Sequence, residues 1–148
     1  MAAGERTDPY LGFRFLVELD SLVVAGFASV SGLEVGLSTE DYEEGGVNTH
    51  THTLPKRFEY PDIVLERGLT DSSELLEWVQ EVRDGTVRRR SGRIVLLDAA
   101  GAESWGWEFL DAYPVAWSGP ELDADQSDVA IERLELTHRG LSKMEGLP

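Results

Sequence analysis

The side chains best suited to chemistry in this sequence are its histidines and some of its carboxylates. His50 and His52 alternate along a predicted strand, so both imidazoles would lie on one face and could chelate a metal ion. Glu43, Glu44 or His138 could add a third ligand, but no spacing in the sequence specifies one. Because such pairs usually occur without a metal, we predict no metal site.

A second carboxylate pattern resembles the opening of a calcium-binding loop. Asp123-x-Asp125-x-Ser127 offers oxygen ligands at alternate positions. The sixth position of such a loop needs glycine and the twelfth a bidentate glutamate, whereas this chain has Asp128 and Leu134 there. The pattern therefore indicates an ordinary polar loop.

The sequence lacks the motifs of the common catalytic centres. It has no cysteine, G-x-S-x-G elbow, P-loop or dinucleotide-binding fingerprint. No motif connects a serine with His50, His52 or His138. We therefore predict that the protein is not an enzyme and uses no cofactor. A small β-barrel enzyme that binds a metal through His50 and His52 is the catalytic alternative.

The charge balance argues against nucleic-acid binding by the general surface. The chain has 148 residues, with 28 Asp+Glu against 13 Lys+Arg and a net charge of −15, and phosphate binding needs clustered cations. One basic run, Arg88-Arg89-Arg90 with Arg93 nearby, follows a predicted helix end, where cations suit the helix dipole. We interpret this run as a solvated turn rather than an anion site. The acidity itself is typical of salt-adapted proteins, and the alternative is that some of the carboxylates line a surface that must repel anions.

Strand patterns dominate the elements that must position these residues. Alternating or apolar runs predict strands at 12–19, 22–30, 62–67, 93–97 and 103–112. Tyr113-Pro114 is expected to end the last of these runs. Residues 128–138 fit either a strand with a bulge or a short helix, and we assign a strand because a β protein needs partners.

One amphipathic helix is predicted at about 72–83. Asp71 would cap it, Glu74 would complete a capping box, and Gly85 would end it in the left-handed conformation. The sequence therefore predicts one mainly β domain over residues 1–148. We expect an antiparallel β-sandwich or barrel with the helix on its flank.

The stretch 38–54 is unusual because both of its faces are polar. Gly45-Gly46 forms its turn, and the two faces carry Thr49, Thr51 and Thr53 on one side and Asn48, His50 and His52 on the other. Such a strand cannot be buried against its own core. We expect a hairpin that projects into solvent or is covered by another subunit.

The order of short motifs resembles a phage-tail family that includes the T4-like tail tube protein and the inner tubes of contractile injection systems. The resemblance covers about residues 8–142, although each motif alone is weak. The matching stretches, in order, are 8–15, 26–33, 42–48, 54–56, 65–70, 94–98, 112–115, 117–120 and 134–141.

The resemblance implies a tail-tube-like fold and a structural role. Six copies would form a ring, and rings would stack into a hollow conduit for cargo effectors or DNA, which pass without specific binding. A contractile sheath, baseplate proteins and tube-cap proteins are the implied partners, with no membrane insertion of the subunit. The particle or virion tail would be assembled in the cytoplasm and could be extracellular after release.

The resemblance also implies which residues make the contacts between rings and subunits. An N-terminal arm, residues 1–9, and an extended hairpin, residues 40–54, would contribute, through Asp8, Pro9, Tyr10, Tyr42, Glu43, Glu44, Gly45, Gly46, Val47 and Asn48. Two alternatives remain. A baseplate-proximal tube initiator shares these motifs. A secreted ring-forming effector carrier resembling the type VI secretion tube protein is an alternative of a different class.

Overall fold

A computed structural model of the protein describes residues 12, 14–20, 27–43 and 51–145. These ranges contain a series of β-strands interrupted by a single α-helix. The elements are β1 Phe15–Leu19, β2 Phe27–Ser31, β3 Gly36–Glu43, β4 Thr51–Glu59, β5 Ile63–Gly68, α1 Glu74–Arg83, β6 Arg90–Leu97, β7 Glu103–Ser118, β8 Ile131–Thr137 and β9 Gly140–Lys143.

The strands form one large sheet and one separate hairpin. The large sheet has the order β1-β6-β7-β8-β5-β2, and β9 pairs with β7 beside this path. Every pairing is antiparallel, including that of the hairpin strands β3 and β4. The predicted mainly antiparallel β fold with one helix is confirmed, and the structure adds that the sheet is open.

Strand β7 belongs to both halves of the large sheet. Its first part, up to Ala112, pairs with β6 and β9, whereas Tyr113 to Ser118 pair with β8. Asp111 lies at the change of partner with φ 53, a left-handed conformation that Asp adopts more readily than most residues. The expectation that Tyr113-Pro114 ends the strand is wrong. Pro114 lies next to a register shift, where a missing N–H is tolerated.

The core lies between the two halves of this sheet and under the helix. Alternation directs Val17 and Leu19 of β1 inward, and the same holds for Leu134 and Leu136 of β8. The strand assignment made for 128–138 is therefore confirmed for Ile131–Thr137, with its inward phase set by these leucines, whereas residues 128–130 belong to the preceding loop. Other members of the buried cluster are Ile63, Leu65, Leu75, Trp78, Ile94, Phe109 and Ala112.

A buried ion pair continues the inward rows of β5 and β8. Arg67 and Glu132 lie opposite each other across the strand pair, are each 3% exposed, and Arg67 Nε donates to Glu132 Oε1. Arg67 Nη2 also lies 3.4 Å from the carbonyl and hydroxyl oxygens of Ser72, and the guanidinium carbon is 5.8 Å from the Phe27 ring centre. Buried charges need such partners to offset the loss of hydration. The pair thus connects β2, β5, β8 and the approach to α1.

The helix begins later than predicted. Its N-cap is Ser73, whose hydroxyl makes no cap bond but lies 3.1 Å from Glu77 Oε1. The predicted Asp71 cap is wrong, because the first helical residue is Glu74, and the Ser72 N–H that precedes the helix donates to Thr70 Oγ1 at 3.2 Å. Gly85 ends the helix at φ 100 as predicted, and its N–H donates to the Val82 carbonyl. No helix in the described ranges is long and apolar enough to cross a membrane.

A close backbone contact fixes the junction between the large sheet and the hairpin. Gly32 follows β2 with φ 88, and a Cβ on it would collide with the Asp62 carbonyl oxygen. Asp62 lies just before β5, so the two chain segments that lead into and out of the hairpin touch at this point. Glycine is required here both for its conformation and for its lack of a side chain.

We expect Trp78→Ala to lower the free energy of unfolding by about 3–5 kcal/mol, because Trp78 is fully buried and its Nε1 donates to the Arg88 carbonyl at 2.8 Å. Trp107→Ala should cost less, since Trp107 only packs against the edge of the core. Denaturant unfolding of both variants measures the difference. Equal losses would contradict this assignment of the core.

We expect Gly32→Ala to destabilise the fold more than Gly101→Ala. Gly101 has a similar φ of 84, but nothing lies within 4 Å of the point that a Cβ would occupy, so alanine there costs only the left-handed strain of about 1–2 kcal/mol. Gly32→Ala carries the same strain and must also displace the Asp62 carbonyl. Free energies of unfolding from urea titration test this, and a Gly101 cost equal to or above that of Gly32 would refute it.

Candidate assembly surfaces

The hairpin β3–β4 pairs with no other strand in the described ranges. An isolated two-stranded hairpin is marginally stable in water and normally packs on something else. Of the predicted contact residues, Tyr42 lies opposite His52 and Glu43 lies opposite Thr51 at the far end of the hairpin. The remaining predicted contact residues lie outside the described residues: Asp8, Pro9, Tyr10, Glu44, Gly45, Gly46, Val47 and Asn48.

The hairpin is longer and less polar than the sequence indicated. Its strands extend from Gly36 to Glu59, beyond the stretch 38–54. Leu37 lies directly opposite Phe58, and both are exposed, Phe58 at 62%. Leu54 is exposed as well. The structure therefore adds an apolar base to the polar stretch 38–54, because the apolar residues that flank it pair with each other across the two strands.

Two adjacent cations lie in a bulge near this apolar pair. The register shifts by one residue between Leu37 and Thr39, so β4 has one residue more than β3 between Phe58 and Pro55. The residues in that bulge are Lys56 and Arg57, and both are exposed. The base of the hairpin thus combines exposed apolar side chains with two neighbouring positive charges.

The arginines of the run 88–90 lie in different environments in the structure. Arg90 is buried, and its Nη1 donates to the Asp20 carbonyl at 2.6 Å. Burial lowers the pKa of Arg90, and the nearby charge of Arg88 lowers it further. Arg88 Nε lies 3.9 Å from Glu81 Oε2, and the guanidinium carbon of Arg89 lies 4.7 Å from the Tyr113 ring centre. The solvated turn expected from the sequence is correct for Arg88 but not for Arg90.

Arg93 belongs to a cross-strand pair instead of this run. Its Nε donates to Glu18 Oε2 at 2.6 Å, between β6 and β1. This hydrogen bond lowers the pKa of Glu18 and raises the pKa of Arg93. No anion site is assembled from the four arginines, because their side chains engage different partners.

An acidic loop connects β7 to β8. Residues 119–130 form no helix or strand, and Leu122 and Val129 within them are 82% and 75% exposed. The loop also contains Glu121, Asp123, Asp125 and Asp128. Asp123 Oδ1 accepts from the Asp125 N–H at 3.0 Å, so this carboxylate closes a local turn. The polar-loop interpretation of this segment agrees with that geometry.

His138 is not available as a metal ligand. It is buried, and its ring nitrogens Nδ1 and Nε2 each lie 3.1 Å from a carbonyl oxygen, those of Gly140 and Pro61. His50 lies outside the described residues. Within the described part of the chain, no three His, Asp or Glu residues form a group that could hold a metal ion.

The two end strands of the large sheet leave edges without a partner in the described ranges. β1 pairs only with β6, and β2 pairs only with β5. A groove of about 310 Å³ lies between them and is lined mainly by apolar side chains, including Phe15, Val30, Leu33 and Trp107. Unpaired edges of this kind are templates for another strand or another chain.

Comparison with known proteins finds one family and several solved structures. Residues 11–142 match the family model of the T4-like virus tail tube protein gp19. A chain of the anti-feeding prophage baseplate is 28% identical, with a TM-score of 0.84, over 94% of this chain and 97% of that chain. No curated protein matches.

Two further structures extend the comparison. A chain of the extracellular contractile injection system PVC sheath-tube complex, in its extended state, is 26% identical, with a TM-score of 0.82, over 92% of this chain and 91% of that chain. Hcp1 from Flavobacterium johnsoniae is 20% identical with a TM-score of 0.62, over 90% and 97% of the two chains, and shares the fold. Since the family model spans most of the sequence, this protein belongs to the T4-like virus tail tube family.

Proposed function

We propose that the protein is the structural subunit of the inner tube of a contractile injection system or phage tail, in which hexameric rings stack into a hollow conduit. The observation that carries this proposal is the hairpin β3–β4, which has exposed apolar side chains at its base and no partner strand in the described ranges. A neighbouring subunit would supply the missing surface. The likeness to a chain of the PVC sheath-tube complex supports the same interpretation.

The open sheet provides a second argument for assembly. Among the described residues nothing pairs with the outer edges of β1 and β2, and an apolar groove lies between these strands. Pairing with strands of adjacent copies removes such edges, and a closed ring removes all of them. A ring of identical subunits therefore accounts for a sheet that does not close on itself.

The contact residues proposed for stacking are those at the far end of the hairpin and in the N-terminal arm. Tyr42 and Glu43 end β3, and the chain continues through Glu44, Gly45, Gly46, Val47 and Asn48. The arm, residues 1–9, would contribute through Asp8 and Pro9, together with the adjoining Tyr10. We treat residues 1–148 as one tube domain that includes both segments.

The proposed partners are those of a contractile particle. A sheath, a baseplate and a tube cap would contact the assembled tube, and effectors or DNA would pass through it without specific binding. The net charge of −15 suits such a conduit if carboxylates line it, because anionic cargo is repelled from the wall. At 1 M salt this repulsion reaches only about 3 Å.

A tube role is favoured over that of a secreted carrier. A secreted carrier of the type VI kind rests on a weaker likeness, since Hcp1 is 20% identical. A baseplate-proximal initiator shares the motifs, but the hairpin and the open edges do not distinguish it. The work of the protein in either tube role is assembly rather than catalysis.

Negative-stain electron microscopy of the purified protein, from low to molar salt, tests the proposal. We expect rings or tubes with a central channel, and class averages of the ring images with six-fold symmetry. A monodisperse monomer at every salt and protein concentration would contradict self-assembly into rings.

We expect deletion of residues 43–48 to leave the monomer folded but to block stacking. This segment, Glu43-Glu44-Gly45-Gly46-Val47-Asn48, is mostly polar and has little apolar side-chain area to give to a core. Thermal unfolding measures the fold, and microscopy measures tube length. A control variant replaces the same residues with a Gly-Ser stretch of equal length. It keeps the length of the hairpin and removes its side chains, so it shows which of the two stacking requires. Long tubes formed by the deletion variant would refute the stacking role.

A further inference from the structure

Two cations stand apart from all others in the described part of the chain. Each remaining Lys or Arg there contacts an acid, a carbonyl or an aromatic ring, namely Arg14, Arg67, Arg83, Arg88, Arg89, Arg90, Arg93, Arg133, Arg139 and Lys143. Lys56 and Arg57 have no such contact with any described residue. In a chain with 28 Asp+Glu, two neighbouring cations that the described residues leave unpaired are well placed to bind acids of another molecule.

The surroundings of these cations define a mixed surface, here called the hairpin base: Leu37, Leu54, Lys56, Arg57 and Phe58. All five side chains are exposed. The nearest acids along the two strands are Glu40, opposite Leu54, and Glu59, opposite Gly36. The bulge places Lys56 and Arg57 between these acids, next to the Leu37–Phe58 pair. The hairpin base therefore suits a partner that has both apolar and negatively charged groups.

The acidic loop, residues 119–130, has that chemistry. It contains four carboxylates and no Lys or Arg. Leu122 and Val129 are the most exposed large apolar residues in the described part of the protein. The loop is long for a connection between paired antiparallel strands, which usually has about two to five residues. Nothing in the described ranges covers either of these apolar side chains.

The hairpin base and the acidic loop lie at opposite ends of one strand pair. The hairpin leads into the start of β5, where Ile63 lies opposite Leu136, and the loop leads into the start of β8, where Ile131 lies opposite Gly68. From Ile63 to Gly68 the strand rises about 17 Å. The two surfaces therefore adjoin opposite ends of the β5–β8 pair within one copy, and a head-to-tail contact needs two different surfaces at separate places on the subunit.

We propose that the acidic loop of one copy docks on the hairpin base of the next copy. Carboxylates of the loop would pair with Lys56 and Arg57, and Leu122 and Val129 would cover Leu37 and Phe58. The contact rests on the proposed function, for which it names the partner surfaces. Because the two surfaces differ, the contact is heterologous, and its repetition forms closed rings or open filaments.

Charge reversal with rescue tests this contact. We expect the double variant Lys56→Glu, Arg57→Glu to reduce sedimenting assemblies at least about tenfold, since like charges then face each other across the contact. The variant Asp123→Lys, Asp125→Lys should fail in the same way. Mixing the two double variants in equal amounts should restore assembly. The two variants can occupy alternate positions in a ring of six, so that each reversed surface meets a surface of opposite charge.

The control variant is Arg83→Glu, Arg88→Glu, which makes the same change of charge at two exposed positions outside both surfaces. We expect it to assemble like the wild type. Thermal unfolding of every variant shows that assembly, not folding, has changed. Normal assembly of the Lys56, Arg57 variant, or no rescue by the folded mixture, would overturn the proposal.

A second measurement tests this contact independently of tube formation. If the wild type forms no rings, the proposed function fails, and the contact is then tested by pull-down between tagged and untagged chains at low salt. Stronger binding between the two reversed variants than within either one supports the contact. Equal binding in all combinations overturns it.

Discussion

The large sheet depends on β7, a strand that changes partners along its length. Its first part pairs with β6 and β9, and its last part pairs with β8. Asp111 makes the change possible by adopting φ 53, and its N–H donates to the Ser91 hydroxyl oxygen at 3.2 Å. Because one strand carries both halves, the inward rows of β1 and of β8 face a common core, against which α1 packs. The end strands β1 and β2 are then left with unpaired edges in the described ranges, and these edges are what an assembly can use.

Buried charged residues stabilise the fold of one copy, whereas exposed charged residues are available for contacts between copies. Arg67 and Glu132 are enclosed and satisfy each other, and Arg90 is enclosed and donates to the Asp20 carbonyl. These groups hold strands and helix together and cannot serve a partner. Lys56 and Arg57, at one end of the β5–β8 pair, lack such internal contacts in the described part of the chain, and the carboxylates of 119–130 lie at the other end. Complementary groups at opposite ends favour repeated addition of copies over a closed dimer.

Much of the fold could be predicted because its cause is local. Alternation in β1 and β8 and the glycine that ends α1 are visible in the sequence, as is the polar stretch that forms much of β3 and β4. The errors arise where a distant residue decides. Pro114 can stay within a strand because β8 accommodates a register shift there. The apolar base of the hairpin is not apparent from the sequence, because Leu37 and Phe58 are far apart in the chain and meet only across the strands.

The sequence by itself determined the class of fold, the absence of common catalytic motifs and the family, through short motifs spread over most of the chain. These follow from side-chain periodicity and residue type, which are properties of neighbours in the chain. Only the tertiary structure decided which charges are enclosed, which strands end the sheet and which surfaces lie at opposite ends of β5 and β8. Those properties depend on register between distant strands, since a shift of one residue in an antiparallel pair moves every side chain to the other face.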